Sequence, residues 1–168
     1  MSEGPMPQVK GYSATQIALH WIVAVLIALQ FGLNDAIGTA FRAVMRGEEA
    51  VTGPLVPQHV FGGILILALM AWRLKLRMSR GAPLPPAEEA PPLQLVAKVT
   101  HGLLYLVTIA LVISGGLAWF GKIGAAGELH EGMTGALLIL IGLHVVGALY
   151  HQFVLKTNIM ERMKRPLD

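Results

Sequence analysis

Residues 129–154 form one long apolar stretch, LHEGMTGALLILIGLHVVGALYHQFV. As a helix it rises about 39 Å, more than the roughly 30 Å hydrocarbon core of a bilayer. It carries three histidines, His130, His144 and His151, with gaps of 14 and 7 residues. Those gaps miss whole helical turns by only about 40° and 20°, so the three imidazoles lie near one stripe. His130 and His144 stand roughly 21 Å apart along the axis, one in each half of a bilayer. An imidazole in hydrocarbon is costly without a partner, so the stripe points to ligation. Its sharpest form is two metal centres stacked across a membrane.

Composition narrows the chemistry. Of 168 residues, 54% are apolar and 14% charged, which suits a single membrane domain and not an ordinary soluble one. There is no cysteine. That excludes covalent c-type haem, thiolate-bound iron–sulfur clusters, cysteine zinc sites and disulfides. A metal must be held by His, Met or carboxylate. The net charge of +3 is no nucleic-acid signal, because the basic residues flank apolar spans.

Hydropathy predicts four spans, at about 13–33, 58–76, 93–120 and 129–154, hence an all-α, integral-membrane four-helix bundle. Residues 1–12 read as a polar tail with Pro5 and Pro7, and Ser13 or Thr15 as the cap of the first span. A cleaved signal peptide fits less well, since the apolar run at 17–33 is long and only Lys10 precedes it. Residues 34–57 read as a polar loop and 121–128 as a short one. The Pro-rich stretch at 79–92, with Glu88 and Glu89, reads as an exposed linker.

Charge sets orientation. Lys10, Arg73, Lys75, Arg77, Arg80, Lys98, Lys156, Arg162, Lys164 and Arg165 fall on one side, and Arg42, Arg46 and Lys122 on the other, which is 10 of 13 against 3. Both termini are therefore expected to be cytoplasmic. His59 and His130 then share an outer level. His20, His101 and His144 share an inner one, and His151 sits near the inner surface.

Two opposed imidazoles with no further ligand suit bis-histidine haem b, which is six-coordinate and moves electrons without binding oxygen. Gly62, Gly63, Gly132, Gly135, Gly142 and Gly147 stand close to the histidines. They give a macrocycle room or, on the plainer reading, let helices pack closely. A di-iron or zinc site would want carboxylates within the spans, and none lies mid-membrane. Glu131 is placed at the outer surface, facing water. His101 competes with His20 for the inner position. His151 either marks the interface beside Tyr150 or takes part in proton chemistry. Arg73 and Arg77 are positive-inside anchors whose other candidate partners are haem propionates or a quinone.

The run Gln16-Ile17-Ala18-Leu19-His20-Trp21 resembles the opening of the bacterial cytochrome b-561 family. So do His59-Val60-Phe61-Gly62-Gly63, the Arg73 and Arg77 end of span two, and the His-Gly-Leu-Leu-Tyr run from His101. His130-Glu131 and Gly142-Leu143-His144 complete the set, and the match covers about 12–165. The resemblance implies a four-helix bundle with two b haems in the bacterial cytoplasmic (inner) membrane. His20 and His144 would hold the inner haem iron, and His59 and His130 the outer one. It also implies ubiquinone exchange at the cytoplasmic side, where His151 and His101 would help with protons. His101, His151 and Arg73 are thus the candidates to meet a quinone or a haem propionate. Superoxide oxidation at the periplasmic side is one activity of that family, so superoxide becomes a candidate donor. The outer loops balance Arg42, Arg46 and Lys122 against Asp35, Glu48, Glu49, Glu128 and Glu131, so no cationic funnel stands out.

Two other classes compete with a free electron carrier. One is a haem-bearing membrane subunit of a larger respiratory, dehydrogenase or photosynthetic complex. The other is a histidine-lined transporter, against which the absence of any in-membrane carboxylate argues.

Overall fold

The computed structural model describes residues 9, 11–32, 34–49, 53–86 and 89–167; Pro5, Pro7, Lys10, Leu33 and Glu88 lie outside them. Among the described residues the chain is all-helical, with α1 at Ala14–Gly32, α2 at Asn34–Met45, α3 at Leu55–Arg80, α4 at Pro91–Gly121 and α5 at Gly124–Phe153. A 3₁₀ turn at Ile159–Met163 closes the tail. Helices α1, α3, α4 and α5 are each long and apolar enough to cross a membrane.

Local chemistry sets several of these ends. The Ser13 N–H donates to Gln16 Oε1 at 3.0 Å, and the Gln16 N–H donates to Ser13 Oγ at 3.3 Å. This reciprocal capping box starts α1 at Ser13, and Thr15 lies inside the helix. Helix α4 opens on Pro91 and Pro92, whose missing N–H groups a first turn leaves unpaired anyway. Gly81, at φ 82°, ends α3 in a conformation that side-chain-bearing residues avoid.

Helix α1 lies along α3, α3 along α4, and α4 along α5. Val23, Ile66 and Met70 form the buried apolar centre between α1 and α3. Most other large apolar side chains point outward, as Ile139 (73% exposed) and Phe61 (68%) do. Lipid removes the drive to bury them, so the helices meet through small and polar residues instead. Thr100, Thr108 and Ser114 are accordingly buried on α4. Neither α1 nor α3 runs close along α5 among the described residues, which leaves a gap that side chains cross.

One end of the bundle gathers three segments. The Leu167 N–H donates to the Tyr12 carbonyl at 3.2 Å, and Trp21 Nε1 donates to the Met163 carbonyl at 2.8 Å. Arg162 Nη1 reaches the Leu84 carbonyl at 2.7 Å, and Gln16 Nε2 reaches the Gly81 carbonyl at 3.2 Å. The opposite end holds α2 and the α4–α5 turn.

Three expectations need correction. Residues 34–57 are not all loop, because 34–45 form α2, whose Ile37, Ala40, Phe41 and Val44 share one face by helical spacing. The 121–128 loop shrinks to Lys122 and Ile123, with α5 beginning at Gly124. Lys122 takes a left-handed conformation (φ 54°, ψ 38°) that reverses the chain. Gly124 and Gly127 then continue into the helix, since their bare backbones let Met45 and Phe41 of α2 pack against them. Finally, the linker after α3 is not wholly exposed, because Glu89 is buried.

Candidate metal centres

The gap beside α5 is crossed by imidazoles at two levels. Near one end, the rings of His59 on α3 and His130 on α5 have centres 6.2 Å apart at 68°. Near the other, His20 on α1 and His144 on α5 have centres 6.1 Å apart at 60°. A ligating imidazole nitrogen sits about 2 Å from its metal and roughly 1.1 Å from its ring centre, so two opposed ligands put ring centres about 6 Å apart. Both pairs have that separation. His101 on α4 is also at the second level, 5.1 Å from His144 and edge-on to it. That is closer than opposed ligands of one iron stand.

Each level has a distinct surround. His130 Nδ1 donates to the Leu111 carbonyl of α4 at 2.8 Å. The bond assigns the proton to Nδ1 and leaves the Nε2 lone pair for a metal. Gly115, one turn beyond Leu111, makes this approach possible, because a Cβ there would lie 2.9 Å from the His130 ring. Gly115→Val should therefore displace His130, and spectral loss of one metal centre with the other retained is the expected outcome. At the second level, an Arg73 guanidinium N–H donates to His20 Nδ1 at 3.2 Å, and the guanidinium lies 5.7 Å over the Tyr105 ring.

The donor set favours a haem over a bare ion. Among the described residues no three His, Cys, Asp or Glu side chains group as metal ligands. A pair of imidazoles fills the two positions that a haem leaves to the protein. Gly132, Gly135, Gly142 and Gly147 of α5 meet nothing within 4 Å of where a Cβ would be, so they leave space and do not close a helix contact.

A family model described as prokaryotic cytochrome b561 matches residues 11–166. The chain belongs to the prokaryotic cytochrome b561 family. It is similar to cytochrome b562 of Cereibacter sphaeroides, at 35% identity over 96% of this chain and 99% of that one. It is similar at 30% identity to the probable superoxide oxidase CybB of Yersinia pestis, over 92% of this chain and 96% of that one. The cytochrome b561 homolog 2 of Escherichia coli is 25% identical over 90% of each chain. This cytochrome b561 family member is thus a multi-pass bacterial membrane protein of electron transport, and membership implies haem b.

His151 stands apart from both ring pairs in this cytochrome. Its Nε2 faces Glu89 Oε1 at 3.1 Å and its Nδ1 faces Thr157 Oγ1 at 3.0 Å. Both His151 and Glu89 are buried. Sequence reading missed Glu89, since nothing local marks a linker glutamate as buried, and the contact spans 62 residues. Glu131 is exposed.

Proposed function

We propose that this cytochrome carries electrons across the membrane, from a donor on the periplasmic side to ubiquinone on the cytoplasmic side, with two b haems. His59 and His130 hold the outer iron, and His20 and His144 the inner one. The observation that carries this reading is the pair of ring separations, 6.2 and 6.1 Å, at two levels of one helix. Haem b, when bound, supplies a one-electron site without an open coordination position. The protein's own share is to hold imidazoles at fixed depth and to exclude water. It also sets charge near each level, with the neutral Leu111 carbonyl at the outer pair and the Arg73 cation at the inner one. That cation favours placing an electron on the inner side, by an effect on the order of tens of millivolts at partly buried separations. The end that gathers both terminal segments is the cytoplasmic one by the positive-inside rule.

Superoxide is the proposed donor, as in the name of the 30%-identical relative. Each superoxide gives up one electron and leaves as dioxygen, so two of them and two protons from the inner side make one ubiquinol from one ubiquinone. The outer surface does little to attract an anion. Arg46 is engaged by Glu48 through bonds of 2.8 and 2.7 Å. That hydrogen bonding holds the Glu48 carboxyl below its usual range, so the pair stays charged on both sides. Arg42 turns to Thr39 at 3.3 Å. Superoxide-driven reduction should thus fall less than about threefold between low and physiological salt, in contrast to a steered enzyme. A steep fall in stopped-flow rates would show that steering operates.

The test of the function as a whole is a dithionite-reduced minus oxidised spectrum, with haem extracted and counted per chain, followed by superoxide-driven ubiquinol formation in vesicles. Two b haems and ubiquinol formation are expected. One haem would refute the ladder, and haem without ubiquinol formation would point to a subunit that needs a soluble partner.

A further inference from the structure

Two buried polar atoms near the outer ring pair lack a partner, Gln30 Oε1 and His59 Nδ1. Buried polar groups are satisfied in the great majority of cases, so two orphans in one neighbourhood call for an explanation. They belong to side chains already in register. Gln30, near the outer end of α1, donates from Nε2 to the backbone carbonyl of His59 at 3.2 Å. Gly62 admits that amide, since a Cβ at residue 62 would collide with Gln30 Nε2. The glycine beside His59 therefore serves the glutamine. His130, by contrast, has an Nδ1 acceptor, the Leu111 carbonyl, whereas Arg73 beside His20 Nδ1 is a donor.

We infer that Gln30 is a positioning residue of the outer centre, its amide oxygen accepting the Nδ1–H of His59. The inference rests on the reading of His59 as an outer iron ligand. Ligation through Nε2 puts the proton on Nδ1, and that N–H needs an acceptor in a dry interior. The amide oxygen is an acceptor at hand, on a side chain anchored to residue 59 itself. The terminal torsions of Gln and His are soft, which is the freedom such a bond needs. An acceptor at Nδ1 makes the imidazole a stronger donor to iron and favours the ferric state. Gln30 thereby lowers the outer potential, the direction that inward electron flow favours.

The test is redox titration of the purified haem-loaded protein, with electron paramagnetic resonance of the ferric haems. Gln30→Leu should keep both haems, shift the outer midpoint potential upward, alter the outer low-spin signal and leave the inner haem unmoved. An unmoved outer potential, or equal movement of both, overturns the inference. Loss of the outer haem alone supports it if Gln30→Glu restores that haem, and counts against it if not. Should Gln30→Leu fail to assemble, Gly62→Ala, which evicts the amide with Gln30 intact, is read by the same criteria. His59→Ala in parallel separates the two failures. If it leaves both haems in place, the ligand reading has fallen; if it removes one while Gln30→Leu changes nothing, only the role of Gln30 has.

Discussion

If His59 and His130 share one of two haems, as proposed, His130→Ala will hold about one b haem per chain against two in the unsubstituted protein, and His59→Ala will do the same. The two substitutions remove opposite faces of one centre, so their spectra should match each other and differ from those of His20→Ala and His144→Ala. The physical basis is that the sites lie on one helix but share no side chain. His130 and His144 stand roughly 21 Å apart along α5. The outer ring is fixed by the Leu111 carbonyl on α4, whereas the inner level is built from α1, α4 and Arg73 of α3. On the proposed pairing, deleting one imidazole would leave the iron with a single protein ligand. His101→Ala should keep both haems, because its ring stands 5.1 Å from His144, closer than an opposed ligand. Haem extraction with optical spectra of each variant decides the matter. Retention of both haems in His130→Ala would overturn the outer pairing, and loss of one in His101→Ala would hand it the inner site.

Glu89→Gln should lower ubiquinone reduction about tenfold or more while leaving haem content and the reduced spectrum intact. Assisted proton transfer contributes about a hundredfold or more where a side chain is well placed. On the proposed function, ubiquinone reduction would draw protons from the cytoplasmic end. His151 and Glu89 form a buried acid–base pair there, 3.1 Å apart, with Thr157 on the other ring nitrogen at 3.0 Å. Glutamine keeps the shape and a hydrogen bond but cannot carry a proton. His151→Gln should give a loss of similar size, and the double variant little more than either, since the two act as a unit. Additive losses, or an unchanged rate with a water-soluble quinone, would return the pair to a purely structural role of tying the linker to α5.

What was legible in the sequence follows from periodicity. Four apolar runs of membrane length announce four helices, because backbone polar groups in lipid must be satisfied within each segment. The spacing of His130 and His144 on one face needs only the helical repeat. Their grouping by depth with His59, His20 and His101 needs only chain direction and charge. Helix α2 was not legible, because the polar residues between Ile37, Ala40, Phe41 and Val44 read as a loop. The start of α5 at Gly124 was not, since glycine and alanine there gain their helix from packing against Met45 and Phe41.

Four spans of membrane length, two levels of imidazole and the family all follow from local repeat and residue order. Which atoms meet depends on how the helices pack. Leu111 offers a carbonyl to His130 because Gly115 clears the way. Gln30 reaches His59 through the gap at Gly62, and Glu89 turns inward to His151. Those contacts join residues on different helices, and their distances are set by how the helices pack, which no pattern along one segment encodes.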